Sequence, residues 1–245
     1  MTGPLPDSFR QINQDQPFCF SCHPGVPCFT ECCRQLDLAL SPYDILRLKN
    51  SLHMHSGDFL EQYVIIEWDD RIVFPQCYLS MVDDGRASCV FVSPQGCKIY
   101  EDRPGACRAY PVGRGTSRLN KDQRTTEHYV LVEEPHCQGF DEFTQHTPRN
   151  YLREQGMEAY SSFNDAIMSI LQHEKVLQGF RPGRHQLDQY ILALYNLDLF
   201  RQEMSDGRIS MRSPLTPGQI QGLIGNDEQL LLLGFCWLKQ EFFGE

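Results

Sequence analysis

The sequence predicts an α+β protein in which a small cysteine-rich domain with a short antiparallel sheet precedes a helical C-terminal portion. Ten of the eleven cysteines lie between Cys19 and Cys137. Short segments rich in β-branched and aromatic residues occupy the same part of the chain, and segments with helical apolar periodicity follow it. We therefore expect an N-terminal extension over residues 1–17, the cysteine-rich domain over 18–147, and a helical region over 148–245 that packs on it.

Local signals predict where the helices begin. Ser41, which is followed by a proline, can cap a helix, and the apolar residues after it predict a helix over residues 42–52. Ser56 can cap a second short helix. The segments LDQYILALYNLDLF and DEQLLLLGFCWLKQEFF contain helical apolar clusters, and Asn226 or Asp227 can cap the last helix.

Four segments predict strands because β-branched and aromatic residues dominate them. They are YVIIEW, RIVFPQCYL, SCVFV and HYVLVEE. All four lie in the first 140 residues, so we expect them to build a small antiparallel sheet beside the cysteines.

Charge and hydropathy argue against two classes of partner. The net charge of -10 and the pI of about 5.3 disfavour general binding to nucleic acid or to anionic membranes. The longest apolar run covers only residues 230–238, whereas a membrane-spanning helix needs about twenty residues. The first residues contain no apolar segment typical of a secretory signal. We therefore expect a cytoplasmic protein, in a compartment where thiols stay reduced, that binds neither nucleic acid nor membrane.

The cysteines favour metal binding over disulfides. An odd number of cysteines cannot pair completely, and a chain of 245 residues can bury a core without covalent links. Thiolates bind soft and borderline metals, and proline and glycine in the intervening loops allow nearby ligands to converge. The predicted metal ligands are Cys22, Cys28, Cys32, Cys33, Cys89, Cys97, Cys107 and Cys137.

The kind of metal site stays open at this point. Adjacent Cys32 and Cys33 cannot easily serve one tetrahedral ion together, so they would bind different atoms of a cluster, belong to different sites, or share a structural role. All-cysteine coordination suits both zinc and iron–sulfur clusters. The vicinal pair and the loose spacings favour the larger inorganic core. A 4Fe–4S cluster is therefore the first choice, zinc is the alternative, and a reduced thiol cluster without metal is the third interpretation.

The remaining candidates have simpler explanations. His23 and His136 each adjoin a cysteine and could bind a metal, but adjacent side chains usually diverge. Cys19 is either a further ligand or a spare thiol. Cys77 and Cys236 lie among apolar residues and are predicted to be buried small hydrophobes.

A basic segment accompanies the second group of cysteines. Six basic residues and one acidic residue lie between Arg103 and Arg124, so this segment carries a local charge of +5. Four thiolates around a zinc ion or an oxidised 4Fe–4S core leave a negative site. We expect Arg103 and Arg108, which flank Cys107, to compensate that charge. For the residues from Arg114 onwards, a solvated basic loop is an equal alternative.

These residues resemble a known family, the YkgJ-like or CxxCxxCC cysteine-cluster proteins, which are described as zinc- or iron-chelating. The family has a cysteine-rich opening that ends in a vicinal pair, then C-x-F, then C-x-I-Y-x-x-R-P-x-x-C-R-x-Y-P, and a late C-x-G. The corresponding segments here are Cys28–Cys33, Cys89–Phe91, Cys97–Pro111 and Cys137–Gly139. The resemblance covers residues 18–140. The opening departs from the family, since its spacing is C-x5-C-x3-CC.

The resemblance implies metal binding more firmly than it implies any particular catalysed reaction. A related cysteine domain in the flagellin lysine methylase suggests a cluster beside methyl-transfer chemistry, but this chain lacks both a recognisable Gly-rich nucleotide loop and the CxxxCxxC triplet of radical enzymes. We expect a metal-binding protein with a redox, sensing or iron-handling role, and a protein partner at the C-terminal helices. The alternatives are a zinc-binding structural or interaction module and a protein-modifying enzyme related to that methylase.

Overall fold

The structure is a computed structural model that describes residues 8–69, 71–118, 125–212 and 216–245. Its strands are β1 (Phe9–Ile12), β2 (Phe18–Cys19), β3 (Val64–Glu67), β4 (Gln76–Leu79), β5 (Met81–Val82), β6 (Ser88–Cys89), β7 (Val92–Ser93), β8 (Gly96–Cys97), β9 (Val112–Arg118), β10 (Thr125–Val132) and β11 (Gln145–His146). Its α-helices are α1 (Pro42–Ser51), α2 (Ser56–Tyr63), α3 (Gly105–Ala109), α4 (Pro148–Glu154), α5 (Glu158–Leu171), α6 (Glu174–Leu177), α7 (Arg184–Leu194), α8 (Leu197–Ser205), α9 (Pro217–Ile224) and α10 (Asp227–Phe243). These elements confirm the α+β class, with a helical C-terminal part.

The chain forms two compact units. The cysteine unit comprises Met1–Leu36 and Met81–Ala159, and the helical unit comprises Asp37–Ser80 and Tyr160–Glu245. The predicted domain bounds stay a prediction. The two compact units do not follow those bounds, because residues 37–80 belong to the same unit as the C-terminal helices. Nine cysteines lie in the cysteine unit, and Cys77 and Cys236 lie in the helical unit.

Antiparallel strands organise the cysteine unit. Its largest sheet has the order β1-β10-β9, with Phe9 opposite Val132 and Tyr129 opposite Arg114. The pairs β2–β11, β5–β6 and β7–β8 are two-stranded. All four predicted strand segments contain strands, but they do not form one sheet beside the cysteines. YVIIEW and RIVFPQCYL supply β3 and β4, which pair in the helical unit, because strand propensity does not specify a partner.

Capping residues set the ends of the helices in the helical unit. Ser41 is the cap of α1, as predicted, and forms a capping box with Asp44: the Ser41 hydroxyl accepts the Asp44 N–H at 3.2 Å, and the Asp44 carboxylate accepts the Ser41 N–H at 2.7 Å. Asn226 caps α10 through its side-chain oxygen. The prediction for Ser56 was wrong. It is the first residue of α2 rather than its cap, and its N–H donates to Asp198 at 2.7 Å.

Aromatic packing and close helix approach build the core of the helical unit. Tyr43 of α1 stacks on Phe163 of α5 at a ring-centroid distance of 4.3 Å. Gly234 of α10 lies so close to α7 that an added Cβ would be 2.5 Å from the Ala193 carbonyl oxygen. Among the described residues, none of the helices combines the length and the apolar character needed to cross a membrane.

A buried ionic cluster connects α1, α2, α8 and α10 in the helical unit. Lys49 Nζ lies 3.2 Å from Asp198 and 3.1 Å from Asp227, and Arg201 contacts both carboxylates. Burial opposes the ionisation of Asp198. The hydrogen bond from the Ser56 N–H and the two cations outweigh burial and lower the pKa of Asp198 to about 2.

We expect Asp198→Asn to lower the free energy of unfolding by about 2 kcal/mol at neutral pH, because it leaves Lys49 buried with less compensating charge. A carboxylate with a depressed pKa stabilises the fold above its unfolded pKa of about 3.9, and this contribution is lost as the pH falls through the folded pKa. The difference between wild type and variant should therefore shrink on acidification from about pH 5 to about pH 2. Denaturant unfolding at several pH values measures it.

Asp188→Asn is the matched control, because it removes an exposed ion pair with Arg184 in the same unit. That pair should contribute less than about 1 kcal/mol. A pH-independent loss in Asp198→Asn, or an equal loss in both variants, would contradict the role of the buried carboxylate.

Candidate metal centre

Consecutive tight turns shape the N-terminal cysteine segment after β2. Main-chain hydrogen bonds of 2.9–3.1 Å close these turns: Val26 N–H to His23, Phe29 to Val26, Glu31 to Cys28, and Cys33 to Thr30. Thr30 has a left-handed conformation (φ 71°) immediately before the 3₁₀ turn Glu31–Cys33. The turns shorten the path of the chain, so cysteines separated by several residues stay close in space.

The first thiol group consists of Cys22, Cys28, Cys32 and Cys137. Although the Cys22 residue is exposed, desolvation of its sulfur and the other three thiols raise its pKa to about 11. Burial raises the pKa of Cys137, and Cys28 and Cys32 add to this effect. These electrostatic effects place the four thiols in one region of the cysteine unit, although Cys137 comes from a distant segment.

A close approach at Gly139 brings Cys137 to this group. The Ser21 N–H donates to the Gly139 carbonyl at 3.0 Å, and the Gln138 N–H donates to Cys28 Sγ at 3.1 Å. A Cβ added to Gly139 would lie 2.6 Å from the Phe20 ring and 2.8 Å from the Ser21 carbonyl oxygen. Glycine is therefore required for the loop to lie against Phe20 and Ser21.

The second thiol group consists of Cys33, Cys89 and Cys97. Cys89 ends β6 and Cys97 ends the β7–β8 hairpin, and Cys97 contributes to the raised pKa of Cys89, for which burial is the main cause. Arg34 and Ser88 form an antiparallel bridge. The main chain that follows Cys33 therefore pairs with the main chain that precedes Cys89.

Three cysteines share one local motif. In each, the main-chain N–H two residues later hydrogen-bonds the cysteine sulfur: Phe91 to Cys89, Ile99 to Cys97, and Gly139 to Cys137. These are the C-x-F, C-x-I and C-x-G segments of the sequence. Burial raises the pKa of each thiol, and the N–H donor lowers it because it stabilises the thiolate.

Arg103 lies beside both thiol groups. It is only 8% exposed, donates to the Tyr100 carbonyl and to the Gln155 side chain at 2.6 Å each, and lies over the Tyr100 ring at 3.7 Å. Its charge opposes burial and lowers the pKa of Cys22 and of Cys97. The geometry therefore fits the predicted compensation of thiolate charge, while direct binding of Arg103 to a cofactor stays a prediction.

Cys107 and Arg108 lie on α3. Cys107 is half-buried. Arg108 donates to the main-chain carbonyls of Glu101 and of Gln155, the latter at 2.7 Å. These hydrogen bonds connect α3 to the main chain of residues 101 and 155. The role of Cys107 as a ligand and that of Arg108 beside the site stay predictions.

The basic segment continues into the β9–β10 hairpin. Arg114 pairs with Glu127 across the two strands at 2.7 Å, so this residue is not simply a solvated cation. The Arg118 side chain, Lys121 and Arg124 lie outside the described residues, and the alternative of a solvated basic loop stays a prediction for them.

The cysteines outside the two groups differ in their surroundings. Cys77 is 1% exposed in β4, as predicted, and burial raises its pKa to about 12. The prediction for Cys236 was wrong, because it is exposed. It lies one helical turn after Leu232, which is also exposed, so both belong to the outer face of α10. Cys19 is exposed on β2.

The two histidines beside cysteines have carboxylates near them. His23 Nδ1 accepts the Gly25 N–H at 3.1 Å, and its Nε2 lies 3.6 Å from Glu142. His136 Nε2 lies 3.7 Å from Glu134. These contacts agree with the interpretation of both rings as bystanders.

Sequence reasoning missed Glu134 and the role of the Tyr110 hydroxyl. This hydroxyl is buried and makes no well-aligned hydrogen bond to a described residue. Burial is the main cause of the raised pKa of Tyr110, and Cys137 and Glu134 add to it. Tyr110 in turn lowers the pKa of Cys137. Tyr110 stands in the R-x-Y-P motif, which could have indicated it, whereas no sequence signal distinguishes Glu134 from other surface acids.

The donors fit a thiolate-bound metal by their chemistry. Within the described part of the chain, no three Cys, His, Asp or Glu side chains are grouped closely enough to hold one metal ion. However, main-chain N–H groups, the buried Tyr110 hydroxyl and the Arg103 cation all favour sulfur anions over neutral thiols.

Comparison with known proteins gave a match to a family model. Residues 21–138 match the CxxCxxCC model, which is described as "Putative zinc- or iron-chelating domain". The matched segment contains all eight predicted ligands and begins after Cys19. Searches among curated proteins and among solved structures found no match.

Proposed function

We propose that this protein binds a 4Fe–4S cluster through its clustered cysteines, because residues 21–138 match the CxxCxxCC family model. The family supports a zinc- or iron-chelating domain, and the iron–sulfur cluster is the finer proposal. The proposed ligands come from Cys22, Cys28, Cys32, Cys33, Cys89, Cys97, Cys107 and Cys137.

The proposal rests on main-chain N–H groups that donate hydrogen bonds to cysteine sulfurs. Four of these cysteines receive an N–H: Cys28, Cys89, Cys97 and Cys137. A neutral thiol is a weak acceptor, whereas a metal-bound thiolate accepts hydrogen bonds well. A fold that directs several amide donors at half-buried sulfurs is therefore suited to thiolates, the form of cysteine that binds metal.

Charge supports the same proposal. Four thiolates leave a zinc ion or an oxidised cluster with a net negative charge, and the Arg103 cation lies near Cys22 and Cys97. Hydrogen bonds to the sulfurs and nearby charge also set the reduction potential of a cluster. When bound, such a cluster would supply one-electron redox chemistry, which suits a role in electron transfer, sensing or iron handling.

Two alternatives and two further features remain part of the proposal. The alternatives are a zinc-binding structural or interaction module and a protein-modifying enzyme related to flagellin lysine methylase. We also propose a cytoplasmic location and a protein partner at the C-terminal helices, on which Leu177 and Leu232 are exposed.

Anaerobic purification of the full chain, followed by iron, sulfide and zinc analysis and a visible absorption spectrum, tests the metal assignment. We expect a brown protein with iron and acid-labile sulfide in equal amounts. A colourless protein with stoichiometric zinc and no sulfide would overturn the iron–sulfur assignment in favour of the zinc module. A folded protein with neither metal, which also fails to take up added iron or zinc, would overturn metal binding itself.

A further inference from the structure

Strand β4 of the helical unit has pairing partners on both of its edges. On one edge the Leu40 N–H donates to the Cys77 carbonyl at 2.8 Å. On the same edge the Leu79 N–H donates to the Leu38 carbonyl at 2.9 Å. The other edge of β4 pairs with β3 in antiparallel register. In the part of the chain that the structure describes, β3 is therefore the outer strand of this sheet.

The ladder between β3 and β4 fixes which main-chain groups of β3 point outward. The Ser80 N–H donates to the Tyr63 carbonyl at 2.8 Å. Because hydrogen-bonded and non-hydrogen-bonded pairs alternate along an antiparallel ladder, Ile65 and Glu67 direct their main-chain groups towards β4. The N–H and the carbonyl of Ile66, which lies between these two residues, point away from β4.

The outer edge of β3 presents a short row of unpaired main-chain groups. In chain order the row consists of the Val64 carbonyl, the Ile66 N–H, the Ile66 carbonyl and the Trp68 N–H. None of the four has a hydrogen-bond partner among the described residues. The Val64 N–H does not belong to the row, because it donates to the Leu60 carbonyl at the end of α2. Unpaired groups on a sheet edge are a template for a further strand.

The side chains of β3 leave this edge open. The strand has the sequence VIIE, which contains none of the lysine or proline residues that commonly protect sheet edges. Ile65 is 53% exposed, and Trp68, which follows the strand, is 44% exposed. Exposed apolar side chains beside unpaired main chain favour pairing with another polypeptide strand.

We propose that β3 pairs antiparallel with β3 of a second copy of this chain, about a two-fold axis between the two Ile66 residues. The row of unpaired groups is self-complementary in this register. Each Ile66 N–H donates to the Ile66 carbonyl of the other copy, and each Trp68 N–H donates to the Val64 carbonyl of the other copy. The hydrogen bonds use every group in the row, and the two-fold symmetry closes the assembly at two chains.

The charges agree with this register. A pairing centred on Ile66 places Ile65 of one copy opposite Glu67 of the other, so the two Glu67 carboxylates do not face each other. A pairing centred on Glu67 would place these like charges directly opposite. It would also require the main-chain groups of Glu67, which are directed towards β4. Both the hydrogen bonds and the charges therefore select the same alignment of two identical strands.

Analytical ultracentrifugation of the full chain over a range of concentrations, in a buffer that keeps thiols reduced, tests the proposal. We expect reversible association from one chain to two. Ile66→Pro removes the central donor from both copies, and proline is compatible with an outer strand where the N–H faces solvent. Loss of these two hydrogen bonds should weaken association by about 30-fold or more. A wild-type chain that sediments as a monomer at every concentration would overturn the proposal.

Charge substitutions test the register without a change to the main chain. Ile65→Glu places a carboxylate opposite Glu67 of the other copy and should weaken association by about 10-fold. Addition of Glu67→Lys turns each of these contacts into an opposite-charge pair and should restore association. Leu177→Glu, at an exposed position of α6 in the same unit, is the control and should leave association unchanged.

Two results of these substitutions would contradict pairing through β3. One is a dimer whose association does not change in Ile65→Glu. The other is a weakened Ile65→Glu dimer that Glu67→Lys fails to restore. Because Ile65 is exposed, its substitution should leave the chain folded. The charge variants therefore decide the question if Ile66→Pro does not fold.

Discussion

Cys28→Ser is expected to remove at least half of the bound metal. Cys28 Sγ lies among the thiols of the first group and accepts the Gln138 N–H at 3.1 Å. Serine has nearly the same size and can accept that N–H, but its neutral hydroxyl is a poor ligand for a soft or borderline metal. Loss of an outer hydrogen-bond partner alone costs about 10- to 100-fold in metal affinity, so loss of a ligand should cost at least about 100-fold.

Metal analysis and thermal unfolding, each with and without chelator, measure this effect. A chelator should destabilise the wild type strongly and the variant less, because metal binding is coupled to folding. Cys19→Ser is the matched control, since Cys19 is an exposed cysteine of the same segment. If Cys28→Ser kept the full metal content and the wild-type spectrum, Cys28 would not be a ligand.

Gly139→Ala should lower both stability and metal content. The added methyl group would lie 2.8 Å from the Ser21 carbonyl oxygen, a main-chain atom that cannot move away cheaply, and 2.6 Å from the Phe20 ring. Overpacking of this kind costs about 1–3 kcal/mol, and we expect a value at the upper end. Relief of the clash would move Cys137 and the Gln138 N–H away from Cys28, so metal affinity should fall with stability.

Two glycine variants separate these effects. Gly115→Ala in β9 has open space around the new methyl group and should change neither property. Gly234→Ala would bring a methyl group 2.5 Å from the Ala193 carbonyl oxygen in the helical unit, so it should destabilise that unit without loss of metal from the folded protein. Metal-to-protein ratios and denaturant unfolding of the three variants provide the comparison. Normal metal content in Gly139→Ala would show that the close approach does not position Cys137.

Local signals predicted much of the fold because they depend on neighbouring residues. The capping box of Ser41 and the Asn226 cap of α10 are side-chain contacts to main-chain groups three residues away. The prediction for Ser56 failed because its N–H partner, Asp198, is far away in the sequence. The prediction for Cys236 failed for a related reason: the uninterrupted apolar run in the middle of α10 does not reveal which face of the helix packs against the core.

The sequence by itself determined the α+β class, the concentration of cysteines and the thiol chemistry that suits them to bind a metal, because composition and short motifs are sufficient for those conclusions. Only the tertiary structure decided that Cys137 joins Cys22 and Cys28, that the main chain after Cys33 pairs with the main chain before Cys89, and that Arg103 lies near both groups. These neighbours come from segments far apart in the chain. The strand bridge and the glycine contact that bring them together depend on the folded main chain, and no spacing of cysteines along the sequence specifies them.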